Sequence, residues 1–136
     1  MKAKACHYGF HPADDDGILT GTFREGALAY QGRKQSRYYN DSFESLIVTD
    51  DGDICTYCFC YVNKSTSTAF IEPVCTREKY RMKGLSKQML YGVINRLKEM
   101  NIENCYINSY DWRKKVYNSA GFETEDSIGF WHKKIK

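Results

Sequence analysis

The sequence has no apolar run approaching the roughly 18 residues that a membrane-spanning helix needs. Its N-terminus, Met1-Lys2-Ala3-Lys4-Ala5-Cys6, carries charge but lacks the apolar stretch of a secretory signal. These two absences predict a cytoplasmic protein that makes no use of a membrane. An excess of either charge is missing too: 20 Lys and Arg against 17 Asp and Glu leave +3 at pH 7. So small a balance does not point to nucleic acid, and no nucleic-acid partner is expected. The 11 tyrosines do not reverse this, because the aromatics alternate with apolar residues as they do in core strands. Repeats, low-complexity tracts and interdomain linkers are also absent. At 136 residues, 42% of them hydrophobic, the chain is long enough for one domain with a substantial core.

A metal site is not expected either. Cys55 and Cys58 formally make a C-x-x-C, but they lie in Ile54-Cys-Thr-Tyr-Cys-Phe-Cys-Tyr61, a β-branched and aromatic run. In an extended strand that odd spacing sends the two thiols to opposite faces. No second C-x-x-C or nearby histidine pair completes a tetrahedral site. The six cysteines read as reduced thiols packed as small hydrophobes.

What the sequence does contain is organised from Phe43 onward. Residues 1–19 read as an irregular segment, with Asp14-Asp15-Asp16 either a solvated acidic cluster or a lure for a cationic amine. Ile18, Leu19, Phe23, Ala27 and Tyr30 then recur at helical intervals. Arg33-Lys34-Gln35-Ser36-Arg37 comes next, a solvated helix end or a binding patch. Glu44 to Thr49 and Ile54 to Val62 are predicted strands around the Asp50-Asp51-Gly52-Asp53 turn. Thr68 to Cys75 is a third strand in which Pro73 removes a ladder donor and so marks a bulge or an end of pairing. Leu85, Met89, Leu90, Val93, Ile94, Leu97 and Met100 form one helical stripe, closed by Asn101. A strand at Asn104 to Ser109, a helix at Trp112 to Ala120 stopped by Gly121, and closing strands from Phe122 through Ile128-Gly129-Phe130-Trp131-His132 complete the order. Hairpins succeeded by alternating elements indicate an α/β (α+β) architecture.

The stretch richest in chemistry is Arg81-Met82-Lys83-Gly84-Leu85-Ser86, between a strand and an amphipathic helix. The first N–H groups of a helix have no internal partner, and the helix dipole favours an anion there. Gly84 lets the main chain approach such an anion without a Cβ in the way. A pyrophosphate cradle is one reading; a tight strand-to-helix turn is the other.

The combination resembles the GCN5-related N-acetyltransferase (GNAT) family. Ile71-Glu72-Pro73-Val74-Cys75-Thr76 with Tyr80-Arg81-Met82-Lys83-Gly84-Leu85-Ser86 after it resembles its Q/R-x-x-G-x-G/A motif. Val116-Tyr117-Asn118-Ser119-Ala120-Gly121-Phe122 resembles its later L-Y-x-x-x-G-F motif. The resemblance implies a mixed, mainly antiparallel twisted sheet flanked by helices over residues 20–136. It also implies a first strand and first helix missing or reduced, as in the carboxy-terminal domain of a tandem acetyltransferase.

The same resemblance implies acetyl-coenzyme A as cosubstrate, no metal, and a small-molecule or peptide amine as acceptor. Backbone groups of Val74, Cys75 and Thr76 would take the pantetheine amides, and N–H groups of Arg81, Met82, Lys83, Gly84, Leu85 and Ser86 the pyrophosphate. Tyr117 stands at the family's general-acid position, with an aromatic filler as its alternative. Glu72 is the candidate base, or simply an exposed strand carboxylate. Ser86 stands where the motif has glycine or alanine. Tyr110 and Arg113 stand where many members have asparagine and alanine. A shortened front would leave a sheet edge uncovered, so a homodimer is expected. A cofactor-binding or regulatory module without turnover is the alternative to an enzyme.

Overall fold

The computed structural model describes residues 2–10 and 21–125. Two helices open it, α1 (Lys2–Phe10) and α2 (Gly21–Lys34). Strands β1 (Glu44–Val48), β2 (Ile54–Asn63) and β3 (Thr68–Thr76) then form an antiparallel meander. Helix α3 (Leu85–Glu99) crosses to β4 (Asn104–Ile107), which joins β3 in parallel, and α4 (Lys114–Ser119) comes after it. The strand order is β1-β2-β3-β4. This is the expected mixed, mainly antiparallel sheet flanked by helices. The closing strands expected around Ile128–His132 lie outside the described residues.

Strand alternation divides the core into two layers. Cys58 and Cys60 of β2, with Ala69 and Ile71 of β3, pack on Met89, Leu90, Val93 and Leu97 of α3. Tyr57 and Phe59 point the other way and gather Cys75, Cys6 and Tyr30. The apolar stripe of α3 therefore buries against one face, while α1 and α2 cover the other. A carboxylate fastens that second layer. Glu44 pairs with Lys2 and accepts hydrogen bonds of 2.9 Å from the hydroxyls of both Tyr30 and Tyr57.

Residues 2–10, expected to be irregular, form a helix. Their sequence has no apolar stripe, and helices this short gain their stability from packing rather than propensity. The packing is close: a Cβ on Gly9 would lie 2.6 Å from the Cβ of Cys75, so only glycine lets α1 settle at that distance. Among the described residues two helices, α1 and α2, precede β1.

Both later helices end as their sequences predict. Asn101 takes φ +58° beyond α3, and the N–H of Ile102 reaches back to the Leu97 carbonyl at 3.0 Å. Gly121 takes φ +89° beyond α4, and the N–H of Phe122 reaches the Tyr117 carbonyl at 3.1 Å. Each is a Schellman stop, in which the residue after the left-handed one packs back on the last turn. The contact in α4 is Tyr117 against Phe122, ring centroids 6.3 Å apart and edge to face.

Candidate functional site

The sheet opens where Pro73 stands. Parallel pairing of β3 with β4 runs from Thr68–Asn104 to Ile71–Ile107 and stops. On the other side β3 stays paired with β2, but two residues, Glu72 and Pro73, oppose the single Phe59 between the Cys58–Val74 and Cys60–Ile71 pairs. That extra residue is a bulge, which bends a strand and redirects its continuation. From Glu72 to Thr76 the outer edge of β3 has no strand partner among the described residues, which leaves room for an extended ligand along it, although the Thr76 carbonyl already accepts from the Arg81 guanidinium.

The chain then runs from Thr76 through a single 3₁₀ turn, Glu78–Tyr80, to the start of α3. Met82 and Gly84 take φ +60° and +74°, and no side chain caps the helix. The N–H groups of Met82, Lys83 and Gly84 meet no acceptor among the described residues. The first N–H groups of α3 have none within the helix. A Cβ at Gly84 would meet nothing within 4 Å, so the loop faces open space. Adjacent outward-facing donors at a helix N-terminus form an anion cradle, and this one lies at the end of the splayed edge. The residues present fit a phosphate-bearing ligand with an amide-containing arm.

Ser86 departs from the small residue of the motif and has a use for its hydroxyl, which lies 2.8 Å from the Thr76 hydroxyl. Thr76 lies 3.1 Å from Thr56 in turn. The start of α3 is thus tied to the end of β3. Arg81 departs from expectation differently. Its backbone N–H donates to the Glu78 carbonyl at 2.9 Å, and its guanidinium donates to the carbonyls of Thr76 (3.1 Å) and Gly9 (2.9 Å).

Tyr117 lies on α4 in the α3-side core, 8% exposed. Burial raises its pKa above the usual value, partly offset by the Ser109 hydroxyl and the Arg113 guanidinium. It is therefore protonated at neutral pH. Glu72 is exposed on the bulge of β3. Arg113 stands at the N-cap position of α4 without a side-chain cap, its guanidinium 4.3 Å from the Trp112 ring centroid and 5.8 Å from that of Phe10. The end of α1 and the start of α4 therefore meet. Tyr110 stacks on Trp112 at 6.3 Å, both rings facing solvent. Among the described residues no group of three His, Cys, Asp or Glu stands close enough to hold a metal ion.

One anchor of the cradle is not visible in the sequence. Asp53, which reads only as part of a turn, pairs with Arg77 and Lys79 and accepts from the Tyr80 hydroxyl at 2.8 Å. The β1–β2 hairpin thereby holds the turn that leads into the loop. Hydrogen bonds from Lys79 and Tyr80, then Arg77, keep the Asp53 carboxyl well below the usual carboxylate range. A depressed native pKa stabilises the folded state above the unfolded pKa of about 4. That stabilisation disappears as pH falls through the native value. Asp53→Asn is expected to melt lower than wild type at pH 7, with the gap closing on acidification below about pH 4. A gap that stays constant with pH contradicts the assignment.

Residues 13–122 match the acetyltransferase (GNAT) family. The chain belongs to this family. Among solved structures it is similar to glucosamine-6-phosphate N-acetyltransferase from Arabidopsis thaliana, at 15% identity and TM-score 0.64 over 97% of this chain and 94% of that one. An acetyltransferase from Trypanosoma brucei is similar at 14% identity and TM-score 0.64, over 96% and 90% of the two chains. AAC(6′)-Iy, solved with the bisubstrate analogue CoA-S-monomethyl-acetylneamine, is similar at 17% identity and TM-score 0.58 over 82% and 80%. At these identities the likeness concerns the fold. No curated protein matches the sequence.

Proposed function

We propose that this GNAT protein is an N-acetyltransferase that moves an acetyl group from acetyl-coenzyme A to a primary amine of a small molecule or peptide by direct attack. The observation that carries the reading is the junction of the unpaired β3 edge with the outward-facing N–H groups around Gly84. Main-chain groups of Val74, Cys75 and Thr76 would bind the pantetheine amides. The N–H groups of Met82, Lys83, Gly84, Leu85 and Ser86 would hold the pyrophosphate. Bound acetyl-coenzyme A supplies an activated thioester. The Glu72 carboxylate would accept the proton of the attacking amine, directly or through water, and the Tyr117 hydroxyl would donate one to the departing sulfur. An amine acceptor agrees with the names of the relatives, which include a glucosamine phosphate and an acetylneamine.

A module that binds the cofactor without turnover is the second reading. It is favoured by Tyr117 lying in the buried core and by bulky Tyr110 and Arg113 standing where many members have asparagine and alanine. Amine-dependent release of coenzyme A separates the two. The chain's own thiols would react with a thiol reagent, so release is best measured by chromatography. The enzyme reading expects at least one of a panel of amino sugars, polyamines, amino acids and peptides to stimulate release. Binding without stimulation by any class favours the module.

We also place the protein in the cytoplasm as a homodimer. Strand β1, which has no partner on its outer side among the described residues, presents Leu46 and Val48, 36% and 52% exposed. Light scattering at micromolar concentration is expected to give twice the 15.8 kDa chain mass; a clean monomer would refute the dimer.

A further inference from the structure

We propose that the Arg81 side chain is a positioning residue for α1 rather than a cofactor ligand, and that it couples cofactor binding to the placement of α1. Three observations carry this. The guanidinium donates through Nε to the carbonyl ending β3, Thr76, and through Nη2 to the Gly9 carbonyl near the end of α1. The Arg81 N–H is engaged by Glu78, so the residue reaches the cradle through its neighbours Met82 to Gly84. Finally, α1 rests on the strand expected to line the cofactor: Gly9 is in close contact with Cys75, whose thiol lies 3.7 Å from the Cys6 carbonyl.

Arg81 is suited to this task by its fork of N–H donors, which spans two carbonyls at fixed angles; a lysine ammonium lacks that planar geometry. The Gly9 carbonyl lies in the last turn of α1, where carbonyls have no helical partner and a cation is favoured. One residue therefore ties the loop before α3 to both the splayed strand and the first helix. A ligand that fixes the loop and the β3 edge removes motion that would otherwise carry Arg81 away from Gly9. Cofactor binding should then steady α1, and a steadied α1 should favour cofactor by the same factor. Because α1 covers the sheet beside the splay, the wall that an acceptor meets would form fully only after cofactor is in place.

The inference rests on the proposed function for the identity of the cofactor, but the clamp itself can be read without cofactor. Hydrogen exchange at the amides of Cys6 to Phe10 is measured with and without saturating acetyl-coenzyme A, and affinity is taken from calorimetry. In wild type, cofactor is expected to raise α1 protection about fivefold or more, the low end of typical coupling. Arg81→Gln, which the family motif accommodates, is expected to lower α1 protection about tenfold for the loss of its hydrogen bonds. It should also erase the cofactor-dependent increment while acetyl-coenzyme A affinity falls by no more than the factor by which cofactor raises α1 protection in wild type. Gly9→Ala, whose methyl would displace α1 from Cys75 without touching the loop, is expected to lower α1 protection and erase its cofactor-dependent increment if Arg81→Gln does not fold.

Unchanged α1 protection in these variants overturns the clamp. An affinity loss in Arg81→Gln greater than the factor by which cofactor raises α1 protection in wild type, more than the coupling could transmit, places the guanidinium on the phosphates and overturns it too. Binding in wild type with no response at α1 overturns the coupling alone. No binding in wild type overturns the functional reading and the coupling together.

Discussion

Gly84→Glu is expected to raise the acetyl-coenzyme A dissociation constant by about 100-fold or more, which is about 2.7 kcal/mol. Gly84 sits at φ +74° directly before α3, with its missing Cβ facing open space. Glutamate can be accommodated without a clash, and the left-handed conformation costs it about 1–2 kcal/mol. Part of that cost is offset by placing a negative charge at a helix N-terminus, worth about 0.3–1 kcal/mol. The variant should therefore fold. What it loses is the cradle, because a carboxylate and its stem occupy the space where a pyrophosphate would approach. Cofactor at 100 times its dissociation constant stabilises a native protein by about 2.7 kcal/mol. That thermal shift is expected in wild type and reduced to about 0.4 kcal/mol or less in the variant at the same cofactor concentration. Gly84→Asn is the control, since asparagine tolerates the same φ and adds no charge; its shift should fall between the two. A full shift in Gly84→Glu would mean the ligand binds elsewhere.

Tyr117→Phe is expected to leave cofactor affinity within a few-fold and to lower kcat by about 10²–10⁴, the usual contribution of a general acid. The ring keeps its edge-to-face contact with Phe122 and its place in the α3-side core, so the fold is not at risk. The sign of the pH dependence is set by burial, which raises the pKa of this hydroxyl above its ordinary value of about 10. An acid acts while protonated, so the wild-type rate should persist through neutral and mildly alkaline pH. It should fall only above the unperturbed value, and that limb should vanish in the variant. Glu72→Gln is expected to lower kcat as well, again without loss of cofactor affinity. Unchanged kcat and an unchanged pH profile in Tyr117→Phe would make the residue an aromatic filler.

The parts of this molecule that can be read from sequence are those in which local pattern and tertiary environment agree. The stripe from Leu85 to Met100 faces the sheet because the same residues that repeat along the helix are those the core accepts. Asn101 and Gly121 stop their helices because only residues tolerant of positive φ end them this way. The alternation of β2 separates Tyr57 and Phe59 from Cys58 and Cys60 as a strand requires. Pro73 marks the bulge and the end of β3–β4 pairing.

The features that escape a reading of the sequence depend on partners distant in the chain. The helix over Lys2–Phe10 has no periodic pattern; it rests on Gly9 meeting Cys75 and on a bond from Arg81, 72 residues away. Asp53 reads as turn chemistry because its partners come 24 or more residues later. Arg81 reads as positive charge for a phosphate, and only the fold turns it towards two carbonyls. Ser86 reads as a mild departure from a motif until the Thr76 hydroxyl is placed opposite it.

The measurement that tests the central claim most directly is a crystal structure with acetyl-coenzyme A bound. The account predicts the pantetheine arm alongside Val74–Thr76 in the gap between β3 and β4, with the pyrophosphate on the N–H groups from Met82 to Ser86. The obvious competitor is a hollow of about 520 Å³ at the other end of α3, lined by Arg37, Lys64 and Arg96. Three cations there could draw the phosphates of the cofactor, and α3 at 1.5 Å per residue puts that hollow about 20 Å from Gly84. Cofactor phosphates found on Arg37 and Arg96, with the β3–β4 gap empty, would contradict the account.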